Sequence, residues 1–375
     1  MENVYMIAAG GTGGHFYPGL ALGKELIARG CGVVFVIKKD SPSAALLDKA
    51  DISYSEVDAA PMPRGKNPFK WALFAFKLLK SLWAMRRAVR GYKPLVCVGM
   101  GGYISFPLIF AAHHMGVKTA LHDSNAKIGY ANKMCAKYTD LFMLGLPTED
   151  EVPRAFLTGT PVREEFKLKE TPEEQIYWQF AGNFKINILI FGGSQGARNL
   201  NFAAAQTARG LVQRTEHLHI FHITGRRDYD EIKKLYGGIK NIEVMPYCED
   251  IYAVMKAAHL IISRSGASTV AEILSLKKPA VFVPYPYAAD NHQYYNAKVL
   301  ADRGCAVIVE ESAELANELE ETIKSLLGAP AALHSMTANF ENCKLPDPLE
   351  AAAYCADLAE SLATCNAKNS TIYTE

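Results

Sequence analysis

Two glycine-rich segments constrain this chain more than any other feature. Gly10-Gly11-Thr12-Gly13-Gly14-His15 follows the apolar run Val4-Tyr5-Met6-Ile7-Ala8-Ala9, and Gly192-Gly193-Ser194-Gln195-Gly196 follows Ile188-Leu189-Ile190-Phe191. Each precedes a stretch with helical patterning. A strand, a tight glycine turn and a helix leave bare backbone N–H groups at a helix N-terminus, which suits a phosphate or pyrophosphate. One such loop is a weak signal. One in each half of the chain predicts twin α/β domains facing a shared cleft for phosphorylated ligands.

The rest of the chain keeps this rhythm. In the first half, strands are expected over 33–37, 95–98, 118–121 and 141–144, and helices over 18–29, 103–115 and 129–137. In the second, strands are expected over 188–191, 218–223, 242–245, 260–263, 280–283 and 306–309, with helices over 197–213, 267–276 and 293–302. Strand–helix alternation of this kind predicts parallel sheets covered by helices on both faces. The switch between domains is expected at Thr158-Gly159-Thr160-Pro161-Val162-Arg163, giving an N-terminal domain over 1–163 and a C-terminal one over 164–346. A C-terminal helix over 347–364 is placed to pack back on the first domain, and residues 365–375 to fray.

Composition narrows the setting. A length of 375 residues suits two domains, each with its own core. Forty basic residues against 39 acidic leave a formal charge of +1, which does not support wholesale nucleic-acid binding. The 8 cysteines include no CxxC pair, so neither a zinc site nor a disulfide framework is expected, and a reducing cytosol fits. No signal peptide is read at the start of the chain. Residues 94–112 carry no charge and approach the length of a membrane span, but Gly99, Gly101, Gly102 and Pro107 interrupt them. A buried strand, a glycine turn and a short helix are expected there.

Several positions carry chemistry, each with a plainer alternative. His15 closes the first glycine loop, where an imidazole with a reference pKa near ~6.5 can take a proton at neutral pH; it can equally cap a helix or bind an anion. Ser194 and Gln195 add side-chain donors and acceptors to the second loop. Ser263-Arg264-Ser265-Gly266-Ala267-Ser268-Thr269-Val270-Ala271-Glu272 forms a third strand–turn–helix junction. Its small residues leave room for a ligand, and Glu272, about one turn in, can accept from two ribose hydroxyls or merely favour the helix start. Asp290 and Gln293, in the proline-spaced loop after the strand at 280–283, suit sugar hydroxyls, although a helix N-cap at Asp290 or Asn291 explains that loop as well. Between Arg64 and Arg90 no acidic residue occurs. There, Trp71, Phe74 and Trp83 alternate with Lys77 and Lys80, which fits an interfacial helix on anionic lipid or an ordinary core helix.

These pieces, in this order, resemble the MurG family of UDP-N-acetylglucosamine transferases. The resemblance spans residues 4–310. It rests on Gly10–His15 with Pro18, on Gly99-Met100-Gly101-Gly102-Tyr103, and on His122-Asp123-Ser124-Asn125-Ala126. It also rests on Thr158–Arg163, Gly192–Arg198, Arg264–Glu272 and Gln293-Tyr294-Tyr295-Asn296-Ala297. It implies a GT-B fold: two Rossmann-like domains with a cleft between them. It implies an inverting transfer of GlcNAc from UDP-GlcNAc to undecaprenyl-pyrophosphoryl-MurNAc-pentapeptide, lipid I to lipid II, in peptidoglycan synthesis, with no tightly bound metal and no other cofactor. Ser194, the Cys248 backbone, Ala267, Ser268, Thr269, Val270, Ala271, Glu272 and Gln293 then match the donor site, joined by Thr12, Gly13, Gly14, Asn125 and Arg163. Gly13, Gly14, His15, Gly102 and Tyr103 match the seat of the acceptor pyrophosphate, with His15 as general base or phosphate ligand. The implied setting is peripheral, on the cytoplasmic face of the plasma membrane, among anionic lipids and other cell-wall and division proteins.

Three departures stand out. The family's His-Glu-Gln-Asn is His122-Asp123-Ser124-Asn125 here, its Gly-Asn-Pro-Val-Arg is Gly159-Thr160-Pro161-Val162-Arg163, and Cys248 replaces an apolar residue. Three rival readings are weighed. A GT-B enzyme with another lipid acceptor would use the basic helix equally. A nucleotide-dependent oxidoreductase would need an acidic residue ending the second strand, where Lys38-Lys39-Asp40 is a poor candidate. A non-catalytic scaffold would not need polar loops intact in both halves.

Overall fold

In a computed structural model of the chain, residues 3–10, 13–63, 65, 67–167, 186–193, 196–215 and 217–364 are described. Thr12, Ser194, Gln195 and the tail 365–375 lie outside the described residues. The chain divides into two compact units. The first comprises Met1–Arg163 with Pro346–Glu375, and the second Glu164–Leu345.

The first unit is built on a parallel sheet of β1 (Val4–Ala8), β2 (Gly32–Lys38), β3 (Tyr54–Val57), β4 (Val96–Gly99), β5 (Lys118–Asp123), β6 (Leu141–Leu144) and β7 (Ala155–Leu157), in the order β3-β2-β1-β4-β5-β6-β7. Side chains alternate across a strand, so β1 feeds two cores. Tyr5 and Ile7 pack with Phe16, Leu22 and Leu26 of α1 (Gly13–Ala28) and with Cys355, Ala356, Ala359 and Leu362 of the C-terminal helix Ala351–Thr364. Met6 and Ala8 face the other way, onto Met85 and Val89 of α3 (Pro68–Tyr92) and Ile104, Leu108 and Ala112 at α4 (Ser105–His114). Fully buried side chains such as Leu22 and Leu26 each contribute ~1.5–3 kcal/mol. Two shorter helices, α2 (Ser43–Lys49) and α5 (Tyr130–Cys135), complete the unit. Residues 94–112 form β4, a turn and α4, and no helix among the described residues is long and apolar enough to cross a membrane.

One expectation needs correcting. The first helix does not start at Pro18 but at Gly13, with Pro18 inside it. Proline has no N–H to return to the Gly14 carbonyl, which costs the second turn a bond. The pattern after Pro18 is strongly helical, while the glycines before it suggest only a turn.

The second unit repeats the plan. Strands β8 (Ile186–Phe191), β9 (Leu218–Ile223), β10 (Ile242–Met245), β11 (Leu260–Ser263), β12 (Ala280–Phe282) and β13 (Ala306–Ile308) run parallel in the order β10-β9-β8-β11-β12-β13. The helices are α6 (Arg198–Arg214), α7 (Tyr229–Tyr236), α8 (Ile251–Ala257), α9 (Ala267–Leu276), α10 (His292–Ala301), α11 (Leu315–Gly328) and α12 (Pro330–Asn339). Ile188 and Ile190 of β8 pack against Leu200, Ala204 and Leu211 of α6 and Leu319 and Ile323 of α11. The C-terminal helix, α13 (Ala351–Thr364), belongs to the first unit.

In both sheets the strand order reverses once, between β1 and β4 and between β8 and β11. Open parallel sheets bind ligands outside the carboxyl ends of strands at such a point.

Candidate active site

The glycine segments lie at those reversals. In the first unit, Gly13, Gly14 and His15 form the first turn of α1, so their N–H groups are among the donors a helix start leaves without intrahelical partners. Across the reversal, β4 ends at Gly99 and the chain turns through Gly101 (φ +96°) and Gly102 (φ +76°), left-handed conformations that favour glycine. The His15 ring lies directly on this turn. A Cβ added at Gly101 would sit 2.9 Å from His15 Cδ2 and 3.1 Å from Nε2, and one at Gly102 would sit 3.5 Å from Nδ1. Gly101 and Gly102 are therefore neighbours of His15, and Tyr103 follows them along the chain. Arg163, from the end of the unit, lies over the Tyr17 ring of α1 at 5.3 Å, a cation–π contact that brings it to the same helix.

The His122–Asn125 segment ends β5. His122 is fully buried, with Nε2 3.1 Å from the Gly159 carbonyl and Nδ1 3.4 Å from Ser124 Oγ. Burial holds its pKa below the ordinary histidine value. A neutral ring that donates from Nε2 and accepts at Nδ1 satisfies both contacts. Asp123 is just as occupied. Its Oδ1 accepts from Asn125 N (3.0 Å) and Nδ2 (3.1 Å), and its Oδ2 from Gly129 N (2.9 Å) and Asn132 Nδ2 (3.0 Å). Asp123 thus fixes the Asn125 amide, and the shorter acid is accommodated by a loop that closes around it. Neither His122 nor Asp123 is placed as an accessible base.

In the second unit, Gly196 (φ +73°) leads into α6, and a Cβ there would fall 2.5 Å from the Thr224 carbonyl, so only glycine passes. Among the described residues, neither Ala197, the N-cap of α6, nor Gly266, the N-cap of α9, makes a side-chain cap. The first-turn N–H groups of Ala267, Ser268 and Thr269 are thus open to an anion. Val270 and Ala271 are buried beneath them. Glu272 lies in the second turn of α9 and is 9% exposed. Since the dipole effect fades beyond the first turn, favouring the helix start does not account for it. Gln293 opens α10; its Oε1 accepts from Tyr285 N at 3.0 Å and its carbonyl from Ser265 Oγ at 2.8 Å. The capping alternative holds in position only: Asn291 stands at the N-cap of α10. Asp290 and Asn291 both have left-handed φ, +52° and +53°, and Asn291 makes no side-chain cap. Cys248 stands in the loop after β10, at the sheet edge, and is half-buried.

The comparisons with known proteins agree on what this arrangement is. The model of the glycosyltransferase family 28 N-terminal domain matches residues 5–143, and that of the family 28 C-terminal domain matches residues 187–350. A protein of Elusimicrobium minutum named UDP-N-acetylglucosamine–N-acetylmuramyl-(pentapeptide) pyrophosphoryl-undecaprenol N-acetylglucosamine transferase is 46% identical over 358 residues, covering 96% of this chain and 99% of that relative. A protein of the same name from Burkholderia ambifaria is 35% identical, over 94% and 96%. The crystal structure of Acinetobacter baumannii MurG superposes with a TM-score of 0.77 at 28% identity, covering 96% of this chain and all of that one. The chain belongs to the MurG family. Its two parallel-sheet units are the Rossmann-like domains of the GT-B fold.

MurG family membership disposes of the oxidoreductase rival, and the structure shows why its motif is absent. Strand β2 ends on Lys38, and Asp40 lies beyond it in an exposed turn at φ +57°. No carboxylate ends the strand as an adenosine ribose would require. Some side chains that shape the site escaped sequence reasoning. Tyr17 carries Arg163, and Asn132 supports Asp123 from a helix that shows only core periodicity. Glu311 forms a buried ion pair with Arg264 and gives no local signal beyond an acid after a short strand.

Proposed function

We propose that this chain transfers GlcNAc from UDP-GlcNAc to the C4 hydroxyl of MurNAc in undecaprenyl-pyrophosphoryl-MurNAc-pentapeptide. The observation that carries the reading is the pairing of polar strand–helix junctions at the reversal of both sheets, one set holding His15 and the other Glu272 and Gln293. In this reading the acceptor pyrophosphate meets the N–H groups of Gly13, Gly14 and Gly102 beside Tyr103. His15 takes the proton of the C4 hydroxyl as that oxygen attacks the anomeric carbon. The bond to UDP breaks on the opposite face, so the α-linked donor yields a β-linked product. The departing diphosphate gathers charge, which the uncapped starts of α6 and α9 stabilise without requiring a divalent cation. Glu272 accepts from the ribose, and Thr12, Asn125, Arg163, Ser194, Cys248 and Gln293 complete the donor contacts. UDP-GlcNAc is expected to raise the melting temperature and NADH to leave it unchanged, because a ligand stabilises only the fold that binds it. Equal shifts from both, or none from the UDP-sugar, would reject the donor assignment.

We further propose a peripheral position on the cytoplasmic face of the plasma membrane, through α3. Asn67 Oδ1 caps this helix by accepting from Phe69 N (3.0 Å) and Lys70 N (3.3 Å), and Pro68 suits its first turn. Only Ser81, Met85 and Val89 are buried. Phe69 (84% exposed), Leu73, Phe76 (66%), Leu79 and Trp83 (65%) are spaced by three and four residues into one outward stripe. The core-helix alternative needs these aromatics inside, and they are not. Trp71 and half-buried Phe74 stack edge to face on the side of the helix that carries Ser81, Met85 and Val89, away from the stripe, and Lys77 pairs with Asp58 at 3.4 Å. Because reversing Lys77 would set two acids together, the exposed Lys70 and Lys80 are the better probes. Lys70→Glu with Lys80→Glu is expected to weaken co-sedimentation with anionic vesicles, at roughly 1 kcal/mol per basic residue. Turnover of a short-chain soluble acceptor should be spared. Undiminished co-sedimentation would return α3 to an ordinary surface helix.

A further inference from the structure

We propose that Glu311 is a positioning residue for the UDP-sugar, because its one carboxylate ties together the three loops of the second unit that carry the donor residues. The inference rests on the donor assignment above. Glu311 follows β13 and is remote in sequence from all three loops. Its Oε1 accepts from Asn199 Nδ2 at 2.5 Å, in the first turn of α6 beyond the second glycine loop. Its other oxygen, Oε2, takes the Nη2 of Arg264, at the β11–α9 junction. Side chains of both members of this pair are under one-tenth exposed, at 9% for Arg264 and 8% for Glu311.

Arg264 extends the frame to the third loop. Its Nη1 donates to the carbonyls of Val283 (2.9 Å) and Pro284 (3.1 Å), where the chain leaves β12. Its guanidinium lies 5.5 Å from the Tyr285 ring centre, and the Tyr285 N–H in turn holds Gln293 Oε1. The guanidinium is thus a strut, its Nη1 bonded to backbone and its Nη2 to carboxylate. Its Nη2 needs an acceptor at Glu311, since a buried guanidinium N–H left without one pulls in water or moves. Taking Glu311 away releases the Arg264 strut and, through it, the Tyr285–Gln293 contact. The Asn199 tether on α6 goes at the same time. Displacement of binding groups by about an ångström costs ligand recognition heavily even when no direct contact is lost.

The test measures UDP and UDP-GlcNAc affinity by calorimetry, with the KM for donor and for acceptor, in wild type, Glu311→Ala, Glu311→Gln and Asn199→Ala. Glu341→Ala, which removes an acid from an exposed pair with Lys277, serves as control. Glu311→Ala is expected to weaken UDP by about tenfold or more and raise the donor KM in parallel, with the acceptor KM unchanged. Glu311→Gln should recover most of the loss, since its carbonyl still receives Arg264 and the Asn199 amide can rotate to accept. Asn199→Ala leaves no buried charge behind, so it answers the question even if Glu311→Ala does not fold; several-fold weaker UDP binding is expected. Wild-type UDP affinity in folded Glu311→Ala or Asn199→Ala would overturn the proposal. So would equal losses for donor and acceptor, or a glutamine variant as weak as alanine. If wild-type protein itself fails to take UDP-GlcNAc, the donor assignment falls, a result separate from variants that bind as wild type does.

Discussion

His15→Ala is expected to cut kcat by roughly 100- to 10,000-fold, the usual worth of a positioned general base, while leaving UDP affinity near wild type. The imidazole rests on the Gly101–Gly102 turn at the start of α1, so its ring nitrogens stand beside the proposed pyrophosphate seat. Neither His122 nor Asp123, at the end of β5, is ready to replace it. His122 is sealed in the core and held neutral by burial, and the Asp123 oxygens are taken by Asn125, Gly129 and Asn132. The competing role is a phosphate ligand, and kinetics separates the two. A lost base lowers kcat, whereas a lost phosphate contact chiefly raises the acceptor KM. Steady-state rates with both substrates varied decide it: near-normal kcat at saturating acceptor would eliminate the base.

Glu272→Ala should weaken UDP and UDP-GlcNAc alike, by about 10- to 150-fold, from ~1.5–3 kcal/mol for a hydrogen bond to a charged group. Equal loss for both ligands follows because the ribose is common to them and the sugar is not. The carboxylate is nearly buried in the second turn of α9, behind the small residues Gly266, Ala267 and Ser268. Glu272→Gln keeps one acceptor and should fall between alanine and wild type. Unchanged UDP affinity by calorimetry in Glu272→Ala would reduce this residue to a structural member of α9.

What the sequence revealed and what it hid follow from the range of the interactions involved. The glycine junctions, the parallel sheets and the helices behind them were legible because each is written in a few consecutive residues. The start of α1 was misjudged because Pro18 is an ordinary helix opener and here sits inside one. The exposure of Phe69, Phe76 and Trp83 could not be read, since an apolar stripe looks the same whether protein or another surface covers it. Glu311 and Tyr17 were invisible for a different reason. Their roles depend on partners far along the chain, or on a ring meeting a guanidinium, and no local pattern encodes that.

Helix α13 has a consequence for how the protein is made. Cys355, Ala356, Ala359 and Leu362 complete a core that Tyr5 and Ile7 begin, and Arg29 binds Asp357 (2.6 Å) and Glu360 (2.7 Å). The second unit is therefore spliced into the first. On the ribosome, the first-made domain must wait with one face of its sheet only partly covered, by α1, until the last helix emerges, while the domain encoded between them already has its whole sequence. Synthesis order and completion order are inverted, and a chain stopped short of residue 351 would leave the opening segment permanently without its seal.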